Sequence, residues 1–104
     1  MKPAVFHPDA RAEFDEATRR YSERSTVASD EFVDAIEGAL QKIQLLPATF
    51  PRWPRRENIH KFVLRRFPFI VVYAVEPEML SVVAVAHTSK RPGYWVRRLP
   101  RRRR

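Results

Sequence analysis

The chain contains no cysteine, which removes disulfide cross-links and cysteine-ligated metals from consideration. A sequence without thiols is suited to a reducing compartment, and the cytoplasm is the expected location. Gly38 and Gly93 are the only two glycines in 104 residues, so no glycine-rich loop is available to cradle a phosphate. Nowhere is there an unbroken apolar run of the ~18 residues that a membrane-crossing helix needs. Residues 1–11 (MKPAVFHPDAR) hold no apolar stretch of the kind a signal peptide uses. The three histidines, His7, His60 and His87, are far apart and lack metal-ligand spacing, so no metal site is expected. With neither a nucleophile elbow nor a carboxylate pair at a strand end, the common metal and nucleotide enzymes are excluded and no cofactor is expected.

What the chain does have is apolar residues (44%) and a lopsided charge. The apolar fraction is ordinary for one globular domain, and the length leaves no room for a second core. The net charge is +8, but residues 9–44 carry nine acids against five bases, whereas residues 52–104 carry fourteen bases against three acids. Such polarity speeds encounter with phosphate polymers or acidic proteins without specifying any chemistry.

Hydrophobic spacing supplies the elements. Residues 3–7 read as a short extended segment, and His7-Pro8-Asp9 as a helix start with proline in the first turn and an acid beside it. Ala10, Phe14, Ala17 and Tyr21 then fall on one helical face, and residues 22–26 interrupt the pattern. A second helix is expected from about Val27, with Phe32, Ile36, Ala39 and Ile43 on its apolar face and Pro47 as its stop. Residues 47–58 contain three prolines, Pro47, Pro51 and Pro54, and show no periodicity, so they read as a loop. Strands are expected over 59–66, 69–75 and 79–86, the last two joined by the turn Glu76-Pro77-Glu78. The order is β-α-α-β-β-β, an α+β fold. The helical hairpin should lie on one face of a mainly antiparallel sheet, leaving the other face partly open.

The later strands and the tail concentrate residues suited to metal-free RNA cleavage. That reaction needs a base for the 2′-hydroxyl, cations for the phosphorane and an acid for the leaving oxygen. His87 and Tyr94 could move protons, while Lys61, Arg65, Arg66 and Arg91 could hold phosphates. Tyr94, Trp95 or Trp53 could stack on a base. Each also has an ordinary structural reading: His87 as a hydrogen-bonded strand end, Tyr94-Trp95 as a flap over the sheet, Arg65-Arg66 as solvated charge. Tyr73 belongs with the core. Residues 97–104 hold six arginines, among them Arg97 and Arg98, and read either as an electrostatic arm or as a solubilising terminus. A non-catalytic, basic nucleic-acid-binding module is the alternative in a different class.

The segments FHPDARAEFDEATRRY, ASDEFVDAIEGALQKIQLLPATFP, RRFPFIVVYAV and VVAVAHTSKRPGYWVRR, in that order, resemble the RelE/ParE family of bacterial type II toxins. The likeness spans about residues 4–98. It implies a single toxin domain over 1–98, followed by a basic, disordered tail over 99–104. It also implies a cognate antitoxin as partner, in a toxin–antitoxin hetero-oligomer. The resemblance further implies a cellular target, either mRNA on the ribosome, cut by the toxin, or DNA gyrase, blocked by it. His87, Arg91 and Tyr94 match the closing catalytic cluster of the nuclease branch. Lys61, Arg65, Arg66, Trp95, Arg97 and Arg98 are the expected phosphate- or target-binding set. The sequence departs from the nuclease pattern within Pro68-Phe69-Ile70, where Ile70 holds the place of a phosphate-binding arginine.

Overall fold

The computed structural model describes residues 1–100. Its elements run β1 (Ala4–Phe6), α1 (Pro8–Arg24), α2 (Thr26–Leu45), β2 (Ile59–Val63), β3 (Phe69–Val75) and β4 (Leu80–His87), with a final 3₁₀ turn over Val96–Arg98. The expected order is the observed one. The sheet is mixed, in the order β1-β4-β3-β2. β1 runs parallel to β4, and the other pairings are antiparallel.

α1 starts where proline and its neighbours direct it. The His7 ring accepts a hydrogen bond at Nδ1 from the Asp9 N–H at 3.0 Å, capping the helix ahead of Pro8. The joint to α2 is shorter than the expected break over 22–26. Ser22 stays helical, its hydroxyl donating to the Arg19 carbonyl at 2.6 Å. Ser25 alone makes the turn, in extended conformation, closing α1 through its N–H to the Tyr21 carbonyl. Its hydroxyl then caps α2 by accepting from the Ala28 N–H at 3.0 Å. One residue that can cap two helices makes a longer linker unnecessary.

The hairpin buries its apolar stripe on one face of the sheet. Phe32 is fully buried, with ring centroids of Tyr21, Phe67 and Phe69 between 5.0 and 5.4 Å away. Ile36 and Ile43, also fully buried, join it in one cluster with Val71, Tyr73, Val82 and Val85. Each such side chain contributes about 1.5–3 kcal/mol by leaving water. Tyr73 belongs to this core, as expected. Its hydroxyl donates to the Pro47 carbonyl at 2.6 Å, and burial pushes its pKa up to about 12.

The opposite face is not the partly open surface that was expected. Ile59, Val72, Ala74, Val83, Ala84 and Ala86 form a second buried cluster with Trp95. Trp53, Val96 and Leu99 pack against it. The cause lies in β3, whose FIVVYAV sequence is apolar on both sides and needs cover on both. Two irregular segments supply it. One is the 47–58 loop, pinned along the outer edge of β2 by Lys61 N–H to the Pro51 carbonyl (2.9 Å) and Trp53 N–H to the Ile59 carbonyl (2.8 Å). The other is the closing segment from Tyr94 onward. Leu99, assigned by sequence to the tail, is part of this packing, and residues 101–104 of that tail lie outside the described residues.

Two irregularities set the site. β2 ends at Val63, with the Leu64 N–H on the Phe69 carbonyl at 3.0 Å closing its pairing with β3; Arg65 and Arg66 lie beyond that bond, in a turn rather than on a strand. In β4 the pairing shifts between Val72 and Tyr73, from Ala84 to Val82, leaving Val83 as the extra residue. That bulge explains the unbroken apolar run of β4: Val82 and Val85 face the helices, while Val83 and Ala84 both join the other cluster.

Candidate functional site

β1 covers only the first part of β4, from Leu80 to Val82. Beyond Val82 the outer edge of β4 has no strand beside it among the described residues, and its backbone groups need other partners. α1 provides them through Glu13. The carboxylate accepts from the Val85 N–H at 3.0 Å, from the Tyr94 hydroxyl at 2.5 Å and from both terminal nitrogens of Arg98 at 2.9 Å. Arg98 Nη1 also donates to the Val83 carbonyl at 3.0 Å, while the guanidinium lies over the Tyr94 ring at 5.1 Å. A carboxylate and a guanidinium thus complete the edge that β1 leaves open, next to the bulge.

The electrostatics follow from this geometry. Burial by itself would raise the Glu13 pKa, but hydrogen bonds from Arg98, Tyr94 and Val85 outweigh it and hold the carboxyl below its usual range. Burial and the donated bond to Glu13 push the Tyr94 phenol well above its ordinary value. The hydrogen bond to Glu13 likewise raises Arg98, against the effect of its burial. Asp9 adds a looser contact to Arg98 at 3.7 Å.

Next to this clamp is a groove of about 650 Å³ between α1 and the ends of β3 and β4. Arg20 and Arg24 line it from α1, His87 and Lys90 from the other side, and Glu13, Glu16 and Tyr94 are also in its walls. His87 accepts at Nδ1 from the Ser89 N–H at 3.0 Å, so a neutral ring carries its proton on Nε2. The His87 ring stands edge-on to Phe69 at 5.1 Å. Lys90 Nζ lies over the Tyr94 ring at 5.8 Å. Glu16 is held at about 2 by hydrogen bonds from Arg19.

The fold has counterparts among known proteins. The family described as the ParE toxin of the type II toxin–antitoxin system parDE matches residues 4–92. The chain belongs to that family. No curated protein matches. Among solved structures, a chain of a chromosomal ParDE toxin–antitoxin system from P. aeruginosa is similar in fold, with a TM-score of 0.60 and 14% identity. That likeness covers 84% of this chain and 96% of the other. Glu13 lies inside the family match, whereas Tyr94 and Arg98 lie just beyond its end. No helix among the described residues of this ParE-family toxin is long and apolar enough to cross a membrane.

The expected site residues are dispersed. Of His87, Arg91 and Tyr94, the toxin brings His87 and Tyr94 to one groove; Arg91 is exposed and is not part of its lining. Trp95 is 1% exposed, its ring 4.9 Å from that of Trp53, so it has no surface to stack on a base. Arg98 is spent on Glu13 and is not available for a target's phosphates. Lys61 covers the Trp53 ring at 5.8 Å on the second face of the sheet. Arg65 is exposed in the β2–β3 turn, and Arg66 reaches Glu31 of α2 at 3.4 Å. Arg97 is exposed on the second face as well. Glu13, Arg20, Arg24 and Lys90 were not singled out from sequence. Glu13 did leave a signal: it falls at helical spacing between Ala10 and Ala17, a carboxylate on the rim of an apolar stripe.

Proposed function

We propose that this ParE-family toxin arrests growth by binding DNA gyrase in the cytoplasm and blocking it without cleaving RNA, and that a cognate antitoxin neutralises it. The observation that carries this reading is the commitment of Tyr94 and Arg98 to Glu13. A general acid works best with a pKa near the operating pH. A phenol held far above that range, donating to a buried-side carboxylate, is poorly placed to give a proton to a leaving oxygen. Tyr94 held on Glu13 and Ile70 in the place of a cation support a toxin that acts by contact over one that cleaves RNA.

The second reading, mRNA cleavage on the ribosome, draws on a different observation. His87 shares a groove with Arg20, Arg24 and Lys90, a proton carrier among cations. Paired cell-free assays separate the two. Purified toxin should inhibit gyrase supercoiling in near-stoichiometric amounts and leave mRNA intact on translating ribosomes. Cleaved mRNA with unaffected gyrase would overturn the proposal in favour of the nuclease.

A further inference from the structure

Two carboxylates line the groove between α1 and the ends of β3 and β4, and both are already neutralised. Glu13 is taken by Arg98, Tyr94 and the Val85 N–H, and Glu16 by Arg19 at 2.7 Å. The cations of the groove are not matched in the same way. Arg24 and Lys90 form no side-chain ion pair among the described residues, and Arg20 has only a loose one with Glu16 at 3.4 Å. Arg20 and Arg24 stand one helical turn apart on α1 and share a wall. Lys90 comes from the other side, over the Tyr94 ring. His87 adds a neutral donor: Ser89 occupies Nδ1, which leaves the Nε2–H without a partner among the described residues. Ala17, Tyr21, Phe69 and Val85 supply an apolar part of the same lining.

We infer that this groove binds the phosphate monoester of a small molecule, its phosphate on Arg20, Arg24, Lys90 and the His87 Nε2–H and its body against the apolar lining. A monoester carries close to two charges at neutral pH and three terminal oxygens, enough acceptors for donors arriving from both walls. A phosphodiester within a nucleic-acid strand carries a single charge and brings bases that need a stacking surface. The Tyr21 ring offers none, because Phe32 and Phe67 pack on it and Arg24 lies over it. The volume of about 650 Å³ is that of a small-ligand pocket. Because Glu13 and Tyr94 are also in its walls, a seated ligand buttresses the clamp and favours the folded toxin. Neither Arg24 nor Lys90 enters the gyrase reading, so this inference and that one can fail separately.

The test is isothermal titration calorimetry on the full chain at near-physiological salt, with adenosine 5′-monophosphate, ribose 5-phosphate, adenosine and adenylyladenosine, a dinucleoside phosphodiester, as probes. The two monoesters should bind and adenosine should not, and the gap between the monoesters reads what the base adds. The double variant Arg24→Gln, Lys90→Gln should weaken the tighter monoester by about 20-fold, from the loss of charge-assisted bonds. A double of equal charge loss outside the groove, Arg65→Gln, Arg97→Gln, should cost less than about threefold, the share of the general field. His87→Ala should cost about fivefold, and His87→Gln, which restores an N–H, less than about twofold. Equal losses in the two doubles would reduce the site to bulk charge and overturn the inference. So would monoesters that do not bind, or adenylyladenosine binding more tightly than either with the same dependence on Arg24 and Lys90, which would give the groove to an RNA strand. Circular dichroism checks folding. If the double does not fold, Lys90→Gln alone, at an exposed position, should cost about fivefold, and unchanged affinity would overturn the inference.

Discussion

The two faces of this sheet are closed in different ways. One is covered by two long helices whose apolar side chains repeat at helical spacing; the other is covered by a proline-rich loop and a closing segment with little regular structure. The same strand serves both, sending Val71 and Tyr73 to one cluster and Val72 and Ala74 to the other. The helical face is held mainly by apolar area. The irregular face also depends on a polar clamp, because a short segment without its own hydrogen-bond ladder must be tied down at its end. Glu13 ties it, through Tyr94 and Arg98, to the edge of β4.

Removing the anchor of each face should show this difference most strongly. Phe32→Ala deletes a fully buried ring from the helical cluster and should cost about 4 kcal/mol in denaturant unfolding. Trp95→Ala should cost about 3 kcal/mol and, unlike Phe32→Ala, should also expose Trp53, seen as a red shift of its fluorescence. Equal spectral changes in both variants would mean that the faces are not independent.

Much of the helical face is legible in the sequence, since Ala10, Phe14 and Ala17 in α1, and Phe32, Ile36, Ala39 and Ile43 in α2, recur at helical spacing. The second face is not. Trp53 and Trp95 lie in segments with no period, and their meeting depends on a crossing loop whose path no local pattern encodes. The bulge at Val83 is hidden for a related reason: in a strand apolar on both sides, one extra residue leaves no mark on the alternation. The candidate site suffers most. Its key pairing joins residues 13 and 98, and a carboxylate on the rim of an apolar stripe indicates an unusual partner without naming it. His87 and Tyr94 were found because they close a recognisable stretch of sequence, whereas the commitment of Tyr94 to Glu13 is visible only in three dimensions.

Smaller effects sharpen the clamp. Glu13→Gln leaves Arg98 without its carboxylate and should cost about 2 kcal/mol in chemical denaturation. The acid dependence should change with it. Because the Glu13 pKa is lowered in the folded protein, its contribution is complete above the unfolded value of about 4.3 and is lost as pH falls through the folded value. Thermal melts at successively lower pH should therefore converge for the parent and Glu13→Gln; a constant gap down to the most acid condition would remove Glu13 from the acid response. The smallest change is Arg55→Gly, which relieves the left-handed backbone and should stabilise by up to about 1 kcal/mol in the same melts.

The most direct measurement on the account as a whole is Tyr94→Phe, assayed at once for thermal stability and for inhibition of gyrase supercoiling. With the hydroxyl acting as a clamp on Glu13, the melting temperature should fall by a few degrees, roughly what a loss of about 1 kcal/mol gives in a domain of this size, and the folded toxin should still inhibit within about twofold of the parent. A variant that melts like the parent but no longer arrests its target would place the Tyr94 hydroxyl in the toxic chemistry and contradict the account.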